Sequence, residues 1–305
     1  MAESGLKDSL RKAYRWLRYH PRTPRLLASA LRAANEWRAA AARSRWLNHV
    51  RIRANYFLGG RGDVFAPVLI LSTARSGSNL LLRMLNSVEH VCLAGEVLNP
   101  GNSFGIDRSA KPEAALRHVF YSAYDRPRGS IGGAKLLLED MRALGIGVSQ
   151  LASILPTARF IILYRESLLE QYVSLQIAAA TGIWKVETAA PAGRPHVVAI
   201  DPEDFREFCE STRQSYEEVL GFPGLAARSS IVCYEDLARD PERYLNERIL
   251  PFLDLPPAAV KPPLRKQRTR PVQESVRNFD EIRLLLKEPW STLECSFARP
   301  GSEQA

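Results

Sequence analysis

Residues 67–81 read Pro67-Val68-Leu69-Ile70-Leu71-Ser72-Thr73-Ala74-Arg75-Ser76-Gly77-Ser78-Asn79-Leu80-Leu81, and the fold turns on this stretch. Val68 to Leu71 are apolar without alternation, the pattern of a strand buried on both faces and so of a parallel sheet. Small hydroxyl residues around Gly77 follow, and then Leu81, Met84, Leu85 and Val88 recur at helical spacing. A strand that turns through small residues into a helix points backbone N–H groups at the positive end of the helix dipole, a ready place for an anion. Gly77 permits close backbone approach, Ser76, Ser78 and Asn79 add side-chain donors, and Arg75 adds a permanent charge. Gly and Ser also suit any βα turn for its shape alone, so the anion site is one of two readings of these residues. The pattern Gly-x-x-x-x-Gly-Lys-Ser/Thr is absent from this loop, which counts against a nucleoside triphosphatase.

The same texture continues outward along the chain. Ile131 to Leu138, Arg159 to Tyr164 and Ser230 to Tyr234 are three more predicted strands, separated by amphipathic segments. Continuous apolar strands alternating with helices predict an α/β fold with a parallel sheet flanked by helices. Asp201-Pro202 and Asp240-Pro241 each set an N-cap before a first-turn proline. Ser167-x-x-Glu170 has capping-box spacing, so a helix is expected from Ser167.

The N-terminal region differs. Residues 1–62 carry fourteen Lys and Arg against three acids, a net of +11, whereas residues 63–305 sum to −2. The chain's +9 therefore belongs to its first fifth, and a nucleic-acid-binding body is not expected. Helical spacing over residues 5–19 and 24–57, then Gly59-Gly60-Arg61-Gly62, predicts a basic helical extension over 1–62, a main domain over 63–290 and a tail over 291–305. The longest uncharged run, Ala143 to Ala158, is interrupted by Gly, Ser, Gln and Pro, so no spanning helix is predicted. The first thirty residues lack the apolar core of a secretory signal, and a cytoplasmic protein is expected. Four scattered cysteines (Cys92, Cys209, Cys233, Cys295) form no Cys-x-x-Cys pair, so neither a zinc site nor a disulfide framework is expected.

A second anion site follows the Arg159–Tyr164 strand. Arg165 falls at the strand's carboxyl end, where open α/β sheets bind ligands, and Ser174 falls about 10 Å along the next helix at ~1.5 Å per residue. An Arg with a hydroxyl makes a sensible monophosphate cradle, although a surface Arg and an unrelated Ser read equally well from these residues alone.

Thr73-Ala-Arg-Ser-Gly-Ser-Asn-Leu-Leu81 resembles the 5′-phosphosulfate loop of sulfotransferases that use 3′-phosphoadenosine 5′-phosphosulfate (PAPS). The variant is similar to the bacterial carbohydrate type, of the nodulation-factor and trehalose sulfotransferases, and to tyrosylprotein sulfotransferases; Arg75 stands where many cytosolic members have Lys. Arg165 with Ser174 resembles the family's 3′-phosphate motif, and Val232-Cys-Tyr234-Glu-Asp-Leu237 resembles a segment whose Tyr often lies against the nucleotide. Residues 265–281, with Lys266 and Arg268, resemble the late basic loop that closes over it, and Gln171–Trp184 is similar to the bacterial branch in particular. The resemblance spans about residues 64–285 and implies a P-loop-like sheet with PAPS as co-substrate.

Sulfuryl transfer needs a deprotonated hydroxyl in line with the S–O bond and positive charge on the leaving phosphate, with no metal. The resemblance implies Glu96, in Leu93-Ala94-Gly95-Glu96, as general base; His90 and His118 are alternatives. Lys135 interrupts an apolar strand, where it either faces outward or is buried against an anion. The family usually has a Lys here near the transferred group, and Arg75 would neutralise the bridging oxygen. The expected acceptor is a hydroxyl of a carbohydrate or glycolipid, and Trp16, Trp37 and Trp46 among the cations of residues 1–62 suit a peripheral membrane contact. Two other readings stand beside this one: a P-loop-type kinase, and a membrane- or nucleic-acid-associated protein with a degenerate nucleotide domain.

Overall fold

The computed structural model describes residues 67–99, 131–184, 196–260, 271–288 and 291–293. The basic extension and the domain boundary near residue 62, His118, and Lys266 and Arg268 of the late basic loop lie outside these residues. Two compact units divide the described chain. The larger holds residues 67–99, 131–164 and 218–260, and the smaller holds 165–184, 196–217, 271–288 and 291–293.

The larger unit is built on five parallel strands: β1 (Val68–Ser72), β2 (Val91–Glu96), β3 (Ile131–Leu137), β4 (Arg159–Tyr164) and β5 (Ser229–Cys233). They lie in the order β2-β3-β1-β4-β5. The mixed order leaves β1 central, flanked by β3 on one side and β4 on the other. Its carboxyl end is therefore the crevice where open parallel sheets receive ligands. Helices α1 (Ser78–Leu85), α2 (Leu138–Ala143) and α3 (Val148–Ile154) belong to the same unit.

Alternation sets the two faces of the sheet. Val68 and Ile70 of β1 and Ile161 and Leu163 of β4 join Leu81, Met84 and Leu85 of α1 in one core cluster. Leu69, Leu71, Ala134, Leu136, Phe160 and Ile162 occupy the alternate positions and are buried as well. Burial of both sets is why these strands are apolar without alternation. The register pairs Ile70 with Lys135, so Lys135 goes to the α1 face. Gly133 pairs with Val68, and a Cβ there would come within 1.7 Å of the Val68 carbonyl oxygen. Only glycine fits that approach.

The sequence indicates four strands, and the structure has a fifth, β2. Val91-Cys-Leu-Ala-Gly-Glu is short and reads as a mere apolar segment. Pairing with β3 is what makes it a strand. The last strand also ends one residue early: Tyr234 opens helix α4 (Tyr234–Arg239) with Glu235 and Asp236 in its first turn, where acidic side chains suit the helix dipole. Asp240 then caps Pro241–Tyr244, accepting the Arg243 N–H at 3.3 Å, as its Asp-Pro pair predicts.

In the smaller unit, the helix Leu168–Thr181 starts where the capping spacing places it. Ser167 Oγ accepts the Glu170 N–H at 3.2 Å, and Gly182, with φ of 71°, ends the helix. Asp201 caps the helix Pro202–Leu220, of which residues 202–217 belong to this unit, accepting the N–H groups of Glu203 and Asp204 at 2.9 and 3.1 Å. Asn278 clasps Ile200, accepting its N–H at 2.9 Å and donating to its carbonyl at 2.8 Å. The Tyr172 ring lies 5.4 Å from that of Phe205 and 5.1 Å from that of Phe208. Cys209 is buried and free, and burial pushes its thiol well above the ordinary range, so it acts as core filler. Cys233, in the larger unit, is also buried, and its Sγ donates to Glu235 Oε2 at 3.4 Å. Among the described residues no helix is long and apolar enough to cross a membrane.

Candidate active site

The loop between β1 and α1 is tightly wound. Ser76 N–H reaches the Thr73 carbonyl at 3.4 Å, and Ser76 Oγ donates to the same oxygen at 2.8 Å. The Ser76 hydroxyl proton is thus committed to the turn itself. Arg75 has φ of 64° and Gly77 φ of 95°, so two of three successive residues are left-handed. That conformation is natural for glycine and strained for arginine, and strain of this kind gathers at binding loops. Gly77 is needed a second time, because a Cβ there would lie 2.1 Å from Cδ2 of Tyr234. The tyrosine ring lies close against the loop at Gly77.

Ser78 and Asn79 form the first turn of α1, and Ser78 is buried. Ser72, the last residue of β1, is fully buried, and its hydroxyl has no hydrogen-bond partner among the described residues. A buried hydroxyl at the root of this loop, a cation in it and a helix N-terminus after it form a donor set that fits an anionic group.

Lys135 and Glu96 meet beside the loop. β2 carries an irregularity between Ala94 and Glu96, so Gly95 is passed over and Glu96 pairs with Lys135. This one-residue bulge re-aims the glutamate. Lys135 Nζ donates to Glu96 Oε1 at 2.9 Å and to Asn79 Oδ1 at 2.8 Å. Glu96 Oε2 accepts from Asn99 Nδ2 at 2.6 Å. The lysine side chain is 2% exposed and the glutamate 27%, so the ammonium is sealed in while the carboxylate can still be reached. The lysine faces inward, against an anion, and one buried cation ties together β3, β2 and the start of α1.

The larger unit thus brings together Arg75, Ser76, Gly77, Ser78, Asn79, Glu96, Lys135 and Tyr234. His90 does not join them. It lies before the amino end of β2, exposed, left-handed at φ 64°, with its ring beside Glu89 at 3.4 Å. The carboxyl edge of the sheet is the other end of that strand. Arg165 and Ser174 belong to the smaller unit, where Arg165 Nη2 pairs with Glu170. Glu170 is the partner that sequence reading missed: it serves Ser167 through its backbone and Arg165 through its side chain. Asn99 was missed too, since an Asn in a turn has ordinary structural uses.

A comparison of sequences places the chain among known proteins. The profile of the Sulfotransferase family matches residues 67–259, from the residue before β1 to beyond the helices that follow β5. Nodulation protein H of Rhizobium meliloti (strain 1021) is 26% identical over 228 residues, which cover 72% of this chain and 90% of that protein. Among solved structures, a sulfotransferase from Alicyclobacillus acidocaldarius aligns with a TM-score of 0.43 at 14% identity, covering 68% of this chain and 88% of that one. A sulfotransferase from Mycobacterium avium aligns with a TM-score of 0.48 at 13% identity, covering 70% and 69%.

Proposed function

The chain belongs to the sulfotransferase family, and we propose that it takes the sulfuryl group from PAPS and gives it to a hydroxyl of a carbohydrate or glycolipid, with Glu96 as general base and no metal. The observation that carries this reading is the buried Lys135 ammonium held between Glu96 and Asn79 beside the Arg75 loop. PAPS supplies an activated sulfuryl group whose leaving group is a phosphate. Everything else falls to the chain's own residues.

Arg75 and Lys135 bring positive charge to where negative charge grows on the departing phosphate, and a sealed site strengthens that effect. Ser76 shapes the loop, while Gly77, Ser78 and Asn79 present its backbone at the start of α1. Glu96 takes the proton of the acceptor hydroxyl. Lys135 donates to its Oε1 and Asn99 to its Oε2, and these bonds orient the carboxylate. Lys135 therefore fixes the base and faces the transferred group with the same ammonium. Arg165 and Ser174 are assigned to the 3′-phosphate end, and Tyr234, Lys266 and Arg268 to the nucleotide, on the strength of the sequence resemblance. The carbohydrate acceptor rests on the similarity of the Thr73–Leu81 loop, and of residues 171–184 after it, to the bacterial carbohydrate branch.

Thermal unfolding tests the donor. Adenosine 3′,5′-bisphosphate at a hundred times its Kd should stabilise the chain by about 2.7 kcal/mol. ATP at the same concentration should do less, and an equal shift with ATP would turn the reading toward a kinase. Glu96→Gln should keep the bisphosphate shift and lose about 10²- to 10⁴-fold in transfer from labelled PAPS to a glycolipid and oligosaccharide extract. Undiminished transfer would move the base elsewhere.

A further inference from the structure

One hydrogen bond of the Arg75 loop runs the wrong way for an anion site. The Ala74 N–H, immediately before Arg75, donates to Glu139 Oε1 at 2.8 Å, joining residues 65 apart in sequence. Glu139 lies in the first turn of α2, which continues β3 without a break, four residues beyond Lys135. A loop that cradles phosphate would be expected to save its N–H groups for the ligand and to keep carboxylates away. Here one N–H is committed to a carboxylate, whose negative charge opposes the very anion the loop is proposed to receive.

Geometry supplies the compensation. Ala74 is buried, and its N–H belongs to the Thr73–Ala74 peptide unit, so the bond to Glu139 fixes that plane one residue before Arg75. Arg75 is the strained residue of the loop, left-handed at φ 64°. Ser76 ties the far side of the turn back to Thr73. Two anchors thus bracket Arg75, one within the loop and one on the segment that carries Lys135. From this we infer that Glu139 is a positioning residue: through Ala74 it holds the loop so that the Arg75 guanidinium and the Lys135 ammonium keep a fixed spacing. The inference rests on the reading of Arg75 as the residue that meets the donor's phosphate.

The test separates the hydrogen bond from the charge. Glu139→Gln keeps an oxygen acceptor for the Ala74 N–H and drops the charge; Glu139→Ala drops both. In the full-length chain, Glu139→Ala should lower kcat about tenfold or more, with KM for PAPS changed less than about threefold, as lost alignment rather than lost binding requires. Glu139→Gln should return kcat to within about threefold of wild type and bind adenosine 3′,5′-bisphosphate at least as tightly. With Arg75 already replaced by Ala, Glu139→Ala should add little, because the two act as one unit. If Gln is as impaired as Ala, or if the Arg75 and Glu139 effects multiply independently, the inference is overturned.

Amide hydrogen exchange over Thr73–Gly77 provides a readout that needs no donor. Faster exchange in Ala and wild-type exchange in Gln support the tether, and unchanged exchange in Ala overturns it. Should Glu139→Ala not fold, Glu139→Asp takes its place, since one methylene less withdraws the acceptor. A wild-type chain that ignores the bisphosphate yet shows the exchange pattern would sink the donor reading and leave the tether standing.

Discussion

A lysine in the middle of an apolar strand is the residue on which the site turns. Removing a charge from water is expensive, and a buried pair seldom returns more than it costs compared with well-packed apolar residues. The Lys135–Glu96 pair should therefore serve chemistry rather than stability, and the two roles can be separated. Lys135→Met leaves Glu96 facing an apolar side chain and should cost about 1–3 kcal/mol, less than for a fully buried carboxylate because Glu96 is partly exposed. Lys135→Met combined with Glu96→Leu should recover most of that stability, read as the urea midpoint, while transfer stays abolished. A double variant no more stable than the single one would show that the pair holds the fold itself. The sequence displays half of this arrangement. An isolated Lys among Gly133, Ala134, Leu136 and Leu137 signals a buried cation or a strand edge, but its partner lies 39 residues earlier and is brought to it by a bulge at Gly95. Bulges leave no mark that a single glycine does not also leave elsewhere.

Between residue and molecule lie the strand contacts that set the register of the site. Lys135 reaches α1 because Ile70 pairs with it and Val68 pairs with Gly133 two residues before. A side chain at 133 would meet the Val68 carbonyl, so β1 and β3 would part or slide. Gly133→Ala should destabilise the chain by roughly 1–3 kcal/mol, the scale of overpacking a core. It should also lower transfer by more than the unfolded fraction explains, since Arg75 follows β1 and Lys135 lies on β3. Equal losses of activity and of folded protein would confine Gly133 to stability. Strand β1, the turn and α1 were legible because the apolar run, the Gly/Ser loop and the 3.6-residue spacing agree. β2 was not, because six residues with a Gly near the end carry too little local preference, and its pairing with β3 comes from 40 residues away. The caps at Ser167, Asp201 and Asp240 were legible for the opposite reason: a cap is a local bargain between one side chain and the next few N–H groups.

At the scale of the whole chain, charge and chemistry are separated. The cations assigned to the site are single residues in a body of net −2, and the surplus of +11 is confined to residues 1–62. A binding loop needs one or two cations at fixed places, whereas a surface of anionic lipid responds to the number of them, about 1 kcal/mol for each Lys or Arg that reaches it. Fourteen such residues, with Trp16, Trp37 and Trp46 among them, far exceed what a nucleotide can use. Deleting residues 1–62 should therefore abolish sedimentation with phosphatidylserine-containing vesicles at 0.1 M salt, where the screening length is about 10 Å. The shift in unfolding temperature caused by adenosine 3′,5′-bisphosphate should stay as it is in the full chain. Binding to neutral vesicles should be weak in both forms, because charge supplies most of the attraction. If the shortened chain sediments as the full chain does, the basic segment has another use. If the deletion instead removes the bisphosphate shift, its cations belong to the catalytic body after all, and the charge division read from the sequence does not mark a division of labour.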